Sequence, residues 1–180
     1  MRKIICGEFV SLDGVFEAPD QWHFPYFNDE MGAAVGSQLP ESDALLLGRR
    51  TYEEFAAAWP ERGTEDPMAA WFNNSPKYVV STTLTNPEWN NTTVIGGDVA
   101  KEVGRLKEQP GKNIFVPGSG TLVRTLLAEG LLDELQLLVH PIVLGSGGRI
   151  FPDGTGEMPL LLVNSQPFST GVLNLTYAPA

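Results

Sequence analysis

The pattern that most constrains this chain is its repeated change of period. Short apolar runs at Lys3–Val10, Ala44–Leu47, Lys77–Ser81, Thr92–Ile95 and Asn113–Val116 alternate with longer stretches that carry a polar face. Apolar runs of four to eight residues bounded by turn residues fit strands buried on both faces. The intervening stretches read as helices, except between Lys77–Ser81 and Thr92–Ile95, where strand follows strand. The resulting order is β-α-β-α-β-β-α-β-α-β, followed by antiparallel strands. Strands alternating with helices predict an α/β domain whose mostly parallel sheet is covered on both sides.

Local signals set the expected boundaries. Pro25 starts a weakly periodic helix over residues 25–38. Thr51 and Glu54 have capping-box spacing and open a helix that runs to Trp59, where Pro60 ends it. Residues 60–76 read as loop, with a short helix at Ala69–Phe72. Gly96-Gly97-Asp98 leads into a helix over Val99–Glu108 that Pro110-Gly111 stops. Another helix follows Gly118-Ser119-Gly120 and runs to Glu129, with Gly130 as its C-cap. In Asp133–His140, Leu135, Leu137 and Val139 share one face. The tail Leu160–Ala178, interrupted at Ser169-Thr170-Gly171, reads as a hairpin. No repeat or linker divides the chain, so residues 1–180 form one domain.

Composition excludes several functions. The 180 residues are 42% hydrophobic and 19% charged, which is globular composition. Acidic residues number 22 against 12 basic, giving a net charge of −10. A phosphate-backbone binder needs a basic face, so nucleic acid is disfavoured, as are anionic membranes. The single Cys6 excludes an internal disulfide framework and a cysteine-rich metal site, and no metal is expected. No apolar run approaches the ~20 residues that span a bilayer, and the segment after Arg2 and Lys3 is short for a signal peptide. The chain therefore reads as soluble and cytoplasmic.

In an open α/β sheet, ligands sit beyond the carboxyl ends of the strands. Three such ends carry related equipment. Gly48-Arg49-Arg50-Thr51 places two guanidinium groups at a helix start, where free N–H groups favour an anion; it also reads as a solvated arginine pair beside a cap. Ser81-Thr82-Thr83 supplies hydroxyls, or turn chemistry alone. Gly118-Ser119-Gly120-Thr121 lets a backbone approach a pyrophosphate. The third glycine of the dinucleotide fingerprint is replaced by Val123, and no acidic residue lies about 20 positions on to hold a ribose hydroxyl. A plain NAD site is thus disfavoured. Arginines and hydroxyls in place of that acid suit a 2′-phosphate, and so NADPH.

Five segments in order carry a family resemblance over nearly the whole chain. They are Ser11-Leu12-Asp13-Gly14, Leu47–Glu53, Lys77–Ser81, Val116–Leu122, and Leu132–Leu135 leading to His140–Gly148. In these the chain resembles the dihydrofolate reductase-like superfamily, most closely the C-terminal reductase domain of riboflavin biosynthesis, the RibD C-terminal type. The resemblance implies a three-layer αβα fold, a mixed and mostly parallel sheet with a C-terminal antiparallel hairpin, and a homodimer. It also implies NADPH across the carboxyl edge. Arg49, Arg50, Ser81 and Thr82 would lie near the 2′-phosphate and Thr51 near the pyrophosphate, with Gly48 also in the cofactor-binding set. Gly118, Ser119, Gly120, Thr121 and Leu122 would cradle the pyrophosphate, with Gly14 and Asp13 near the nicotinamide. Glu134 would line the substrate side. Folate reductases carry a cis peptide between paired glycines at the strand end, which would fall at Gly118–Ser119.

Two positions depart from the family pattern. Where folate reductases place an acid after a Trp-x-x-Pro-x segment, Trp22–Tyr26 leads to Phe27. Where riboflavin reductases place a lysine four residues before the SLDG serine, Gly7 stands. Asp13 thus reads as a loop acid or a turn residue, and Glu134 as a substrate contact or a solvent-facing strand residue. His23 reads as a surface loop residue, His140 as a satisfied structural histidine. Trp22, Phe24, Tyr26, Phe27 and Trp59 are either a planar-ligand wall or core. The resulting expectation is an NADPH-dependent reductase that delivers hydride to a C=N or C=O of a small heterocycle, resembling 5-amino-6-(5-phosphoribosylamino)uracil reductase. The alternative is a non-catalytic NADP-binding or small-ligand-binding homodimer.

Overall fold

A computed structural model describes all 180 residues. Eight strands form one sheet: β1 (Ile4–Ser11), β2 (Ser42–Gly48), β3 (Lys77–Val80), β4 (Thr92–Ile95), β5 (Asn113–Pro117), β6 (Glu134–His140), β7 (Leu160–Pro167) and β8 (Leu173–Pro179). Their spatial order is β4-β3-β2-β5-β1-β6-β8-β7. The first six strands are parallel to one another, and β8 and β7 add on in antiparallel fashion beyond β6. The mixed α/β fold and the terminal hairpin are as expected from the sequence.

Period-2 alternation along the central strands divides the core. On β2, Ala44 and Leu46 point to one face and Leu45 and Leu47 to the other; on β5, Ile114 and Val116 oppose Phe115. One face packs against α5 (Val99–Glu108) and α6 (Gly120–Ala128) through Val103, Leu106, Leu122, Val123 and Leu126. The other packs against α3 (Arg49–Ala58) and α4 (Pro67–Asn74) through Tyr52 and Phe72. Beside them α1 (Asp29–Gly36) sets Met31 against Leu138, Phe168 and Val172, and the short α2 (Gln38–Glu41) leads into β2.

The differences from expectation are local and have physical causes. Pro25 starts only a single 3₁₀ turn, Phe24–Tyr26; α1 begins later because the Asn28 side chain accepts from the Met31 N–H. The helix expected at Ala69–Phe72 is longer, since Asp66 caps it and Pro67 occupies its first position. Thr51 caps nothing. It lies inside α3, whose N-cap is Gly48. The expected cis bond is absent: every peptide is trans, and Gly118 and Ser119 turn the chain with φ of 93° and 81°.

Candidate functional site: two open helix ends at adjacent strand termini

The helices differ in how their first turns are satisfied. On α1, α4 and α5, the side chains of Asn28, Asp66 and Asp98 each accept a backbone N–H. No side chain does so on α3 or α6. These two helices spring from neighbouring parallel strands, β2 and β5. Their starts are joined directly. The Gly48 N–H donates to Ser119 Oγ at 2.9 Å, and the Ser119 hydroxyl donates to Thr51 Oγ1 at 2.8 Å. Two uncapped N-termini, each with orphan N–H groups and a partial positive charge, thus open side by side.

Glycine is required along this rim. A β-carbon on Gly48 would stand 3.0 Å from Ser119 Oγ, and one on Gly120 would stand 2.6 Å from the Phe16 ring. Gly118 sits between Thr51 and Glu8. At the next strand end, Gly48 pairs with Val80, so Arg49 and Ser81 follow at the same level. Arg49 and Arg50 are exposed; Arg49 contacts both carboxylate oxygens of Glu53 at 3.0 and 3.1 Å. Ser81 Oγ accepts the N–H groups of Thr83 and Leu84, and Thr82 is exposed. Thr121 accepts from Arg124, while the side chain of Leu122 is buried in the core. The residues expected around an anion therefore do gather at one edge.

The two expected catalytic carboxylates do not meet. Asp13 lies just beyond β1, where its oxygens accept from the Leu144 and Gly145 N–H groups and from the Ser11 hydroxyl. These donors hold its pKa down to about 2, the Ser11 hydroxyl most of all. It clasps two loops together and carries no proton near neutrality. Gly14 continues the turn at φ 83°, and its carbonyl accepts the Ile150 N–H. Glu134 opens β6 at the opposite end of the sheet, paired with Ile5 and bridged to Lys3 at 2.9 Å. From Ile5 to Ser11 the strand rises about 20 Å.

Around the departures, the structure is also specific. Phe27 is exposed and meets His23 edge-on. His23 is buried rather than a surface residue, stacked on Phe9 with ring centroids 4.7 Å apart. His140 is fully buried among the edges of Trp22, Tyr26 and Phe9. Its Nδ1 meets the Leu138 carbonyl at 2.8 Å, but its Nε2 has no partner, so it is only half satisfied. Burial lowers the pKa of both histidines. Trp59 lies elsewhere, stacked on Phe72. Beside Gly7 the space is taken by Phe115, and next to it runs a chain of amides, Gln38 to Gln136 to Asn174.

Sequence reasoning passed over Glu8 and Gln136, both buried on central strands. The available signal was a polar residue inside an apolar run. Glu8 lies on β1 at the level of Gly118, and burial pushes its pKa up to about 8. No group of three or more His, Cys, Asp or Glu side chains is placed to hold a metal ion, and no helix is long and apolar enough to cross a membrane.

Comparison with known proteins agrees with this architecture. YyaP of Bacillus subtilis (strain 168), an uncharacterised protein, is 32% identical, with 98% of this chain and 94% of that protein covered. A putative riboflavin biosynthesis protein of Shewanella sp. PV-4 superposes with a TM-score of 0.79 at 20% identity, covering 99% of each chain. Dihydrofolate reductase from Enterococcus faecalis, solved with NADP(H), superposes with a TM-score of 0.66 at 15% identity over 98% of this chain and 96% of that one. Those two likenesses establish the fold. The model of the RibD C-terminal domain matches residues 2–174, and the chain belongs to that family.

Proposed function

We propose that the protein is an NADPH-dependent reductase that delivers hydride to a C=N or C=O of a small heterocyclic substrate. A close analogue would be the substrate of 5-amino-6-(5-phosphoribosylamino)uracil reductase. The observation that carries this reading is the pair of uncapped helix starts, α3 and α6, locked together by Ser119, Thr51 and Gly48. On a molecule of net charge −10, an anion has to be held locally. Orphan N–H groups, helix dipoles and two arginines at one rim supply that local field. The residues fit the cofactor through the uncapped N–H groups of α3 and α6, from which a pyrophosphate would accept hydrogen bonds; Gly48 and Gly120 let the junction close by packing against Ser119 and the Phe16 ring. Arg49, Arg50, Ser81 and Thr82 would face the 2′-phosphate. NADPH would supply the hydride; the protein would supply orientation. A homodimer belongs to the same proposal.

A riboflavin-pathway substrate has weaker support, because Gly7 stands where the riboflavin reductases it resembles carry a lysine, and a folate has weaker support, because Phe27 stands where folate reductases carry an acid. An NADP-binding protein without turnover is therefore the second reading. Arg49→Ala tests the cofactor assignment in either case. Charge-assisted contacts are worth about 1.5–3 kcal/mol, so NADPH affinity should fall at least about tenfold while NADH affinity holds. Fluorescence titration with both cofactors checks this, and equal losses would overturn the 2′-phosphate assignment. Turnover with ribosylamino-pyrimidine, pterin and quinone-like acceptors separates the two readings.

A further inference from the structure

Glu8 is the one buried carboxyl group beside the joined starts of α3 and α6. It is only 6% exposed, on a central strand, and no cation acts on its carboxyl group. Its Oε1 meets the Cys6 thiol at 3.8 Å, and that is its one hydrogen-bonding neighbour. Its Oε2 faces Gly118, 3.9 Å from where a β-carbon on that residue would stand. Thr51, which ties the two helix starts together, contacts the same glycine from α3. Arg49 and Arg50 lie beyond Thr51 at the start of α3, with Arg49 engaged by Glu53. On α6, Arg124 is bound to the Ile150 carbonyl and Thr121. An ionised carboxylate at this point would repel any anion seated on Gly118–Gly120. A neutral carboxylic acid has the opposite character, because it brings an O–H donor to the same place.

We propose that Glu8 keeps its proton in order to donate it in a hydrogen bond to the dinucleotide at Gly118, so that cofactor binding and protonation of Glu8 are coupled. The inference rests on the dinucleotide reading above. It gives a role to a polar group that would otherwise be an uncompensated burden in an apolar core. Its sign is definite. Burial raises the Glu8 pKa to about 8, so the donor is present at neutral pH and is lost as the pH rises through that value. Dinucleotide affinity must then weaken on the alkaline side, by up to about tenfold per pH unit. The cofactor's own phosphate monoester has its second pKa near 6, so it is almost fully ionised where Glu8 titrates. Burial and Glu8 together push the Cys6 thiol up, and Lys77, which titrates near 8, opens β3 at the opposite sheet edge.

Titration calorimetry with NADPH from pH 7 to 9.5, in two buffers of different ionisation enthalpy, tests the coupling on the intact chain. The wild-type protein should take up about half a proton per dinucleotide at pH 8, with Kd rising above that pH. Glu8→Gln keeps a donor and cannot titrate, so its Kd should be flat and its proton uptake absent. Glu8→Leu should bind more weakly at every pH, also with a flat profile. Circular dichroism confirms that both variants are folded. The same alkaline loss in wild type and Glu8→Gln would overturn the role of Glu8 alone. No NADPH binding at any pH, in any variant, would overturn the dinucleotide reading and this inference with it.

Discussion

Lys77 shows how a single buried charge can be structural. It is fully buried, and its ammonium donates to the carbonyls of Asn73, Ser75 and Asn90 at 2.9–3.1 Å. The Trp89 ring centre lies 4.2 Å from Nζ. Three donors thus meet three carbonyls where α4 ends and β3 begins, including two that a helix end would leave unpaired. Burial lowers its pKa from 10.5 to about 8. In the native state it therefore binds fewer protons than in the unfolded chain between those values, and stability rises with pH across that window. Glu8 has the opposite sign: raised from 4.5 to about 8, it makes stability fall as pH climbs between those values. Lys77→Met should leave three carbonyls without a donor and cost about 3 kcal/mol. Urea denaturation at pH 7 measures this, and a loss below about 1 kcal/mol would show that water replaces the ammonium freely.

How two βα junctions are coupled turns on Ser119. It is the N-cap of α6 with left-handed backbone, φ 81° and ψ 66°, a conformation that glycine adopts without strain. Its one hydroxyl proton is committed to Thr51 while its oxygen accepts from Gly48, so the side chain ties α6 to α3 and leaves donation to an anion to the backbone. Ser119→Ala keeps the strain and loses both bonds, at a cost of about 2 kcal/mol. Ser119→Gly loses the same bonds but relieves the strain, so its cost should be about 1 kcal/mol. Thermal or urea unfolding of the pair checks that order; a glycine variant less stable than the alanine one would contradict it. The elements themselves were legible because their signals are local. Short runs bounded by turns marked the first five strands, alternation marked β6, and the break at Ser169-Thr170-Gly171 marked the hairpin of β7 and β8; Thr92–Ile95 and Val99–Glu108 match the structure residue for residue. What the sequence concealed was three-dimensional. Thr51 has the spacing of a cap yet bonds a serine 68 positions away. Asp13 looks like an acid beside a ligand yet is consumed by Leu144 and Gly145, and Glu134 falls at the other end of the sheet. His23, read as a surface residue, is buried by Phe9 and Phe24. Glu8 was hidden by its apolar neighbours, since pattern reading averages over one polar residue in such a run.

The sheet has two outer edges, and they are protected very differently. β4 at one end has only four residues, and a short edge offers little to pair with. β7 at the other end has eight, and it pairs with β8 alone. Leu161, Leu162 and Val163 on it are all more than half exposed, and the strand carries no charged residue. Charges on an edge strand, which normally block further pairing, are therefore missing where the edge is longest and most apolar. A molecule of net charge −10 resists random association, so such an edge calls for a specific cover. A second copy presents the same edge, and two-fold symmetry sets the two β7 strands antiparallel, in the geometry that forms ladder hydrogen bonds. A dimer of this kind would continue one sheet through both copies and set the three apolar residues beside their counterparts across the seam. Sedimentation equilibrium at micromolar concentration should give twice 19.6 kDa for the wild-type chain. Leu162→Lys combined with Val163→Lys should give 19.6 kDa with unchanged circular dichroism, because these side chains contribute little to the core of their own copy. A wild-type monomer, or a dimer indifferent to both lysines, would rule out β7 as the interface.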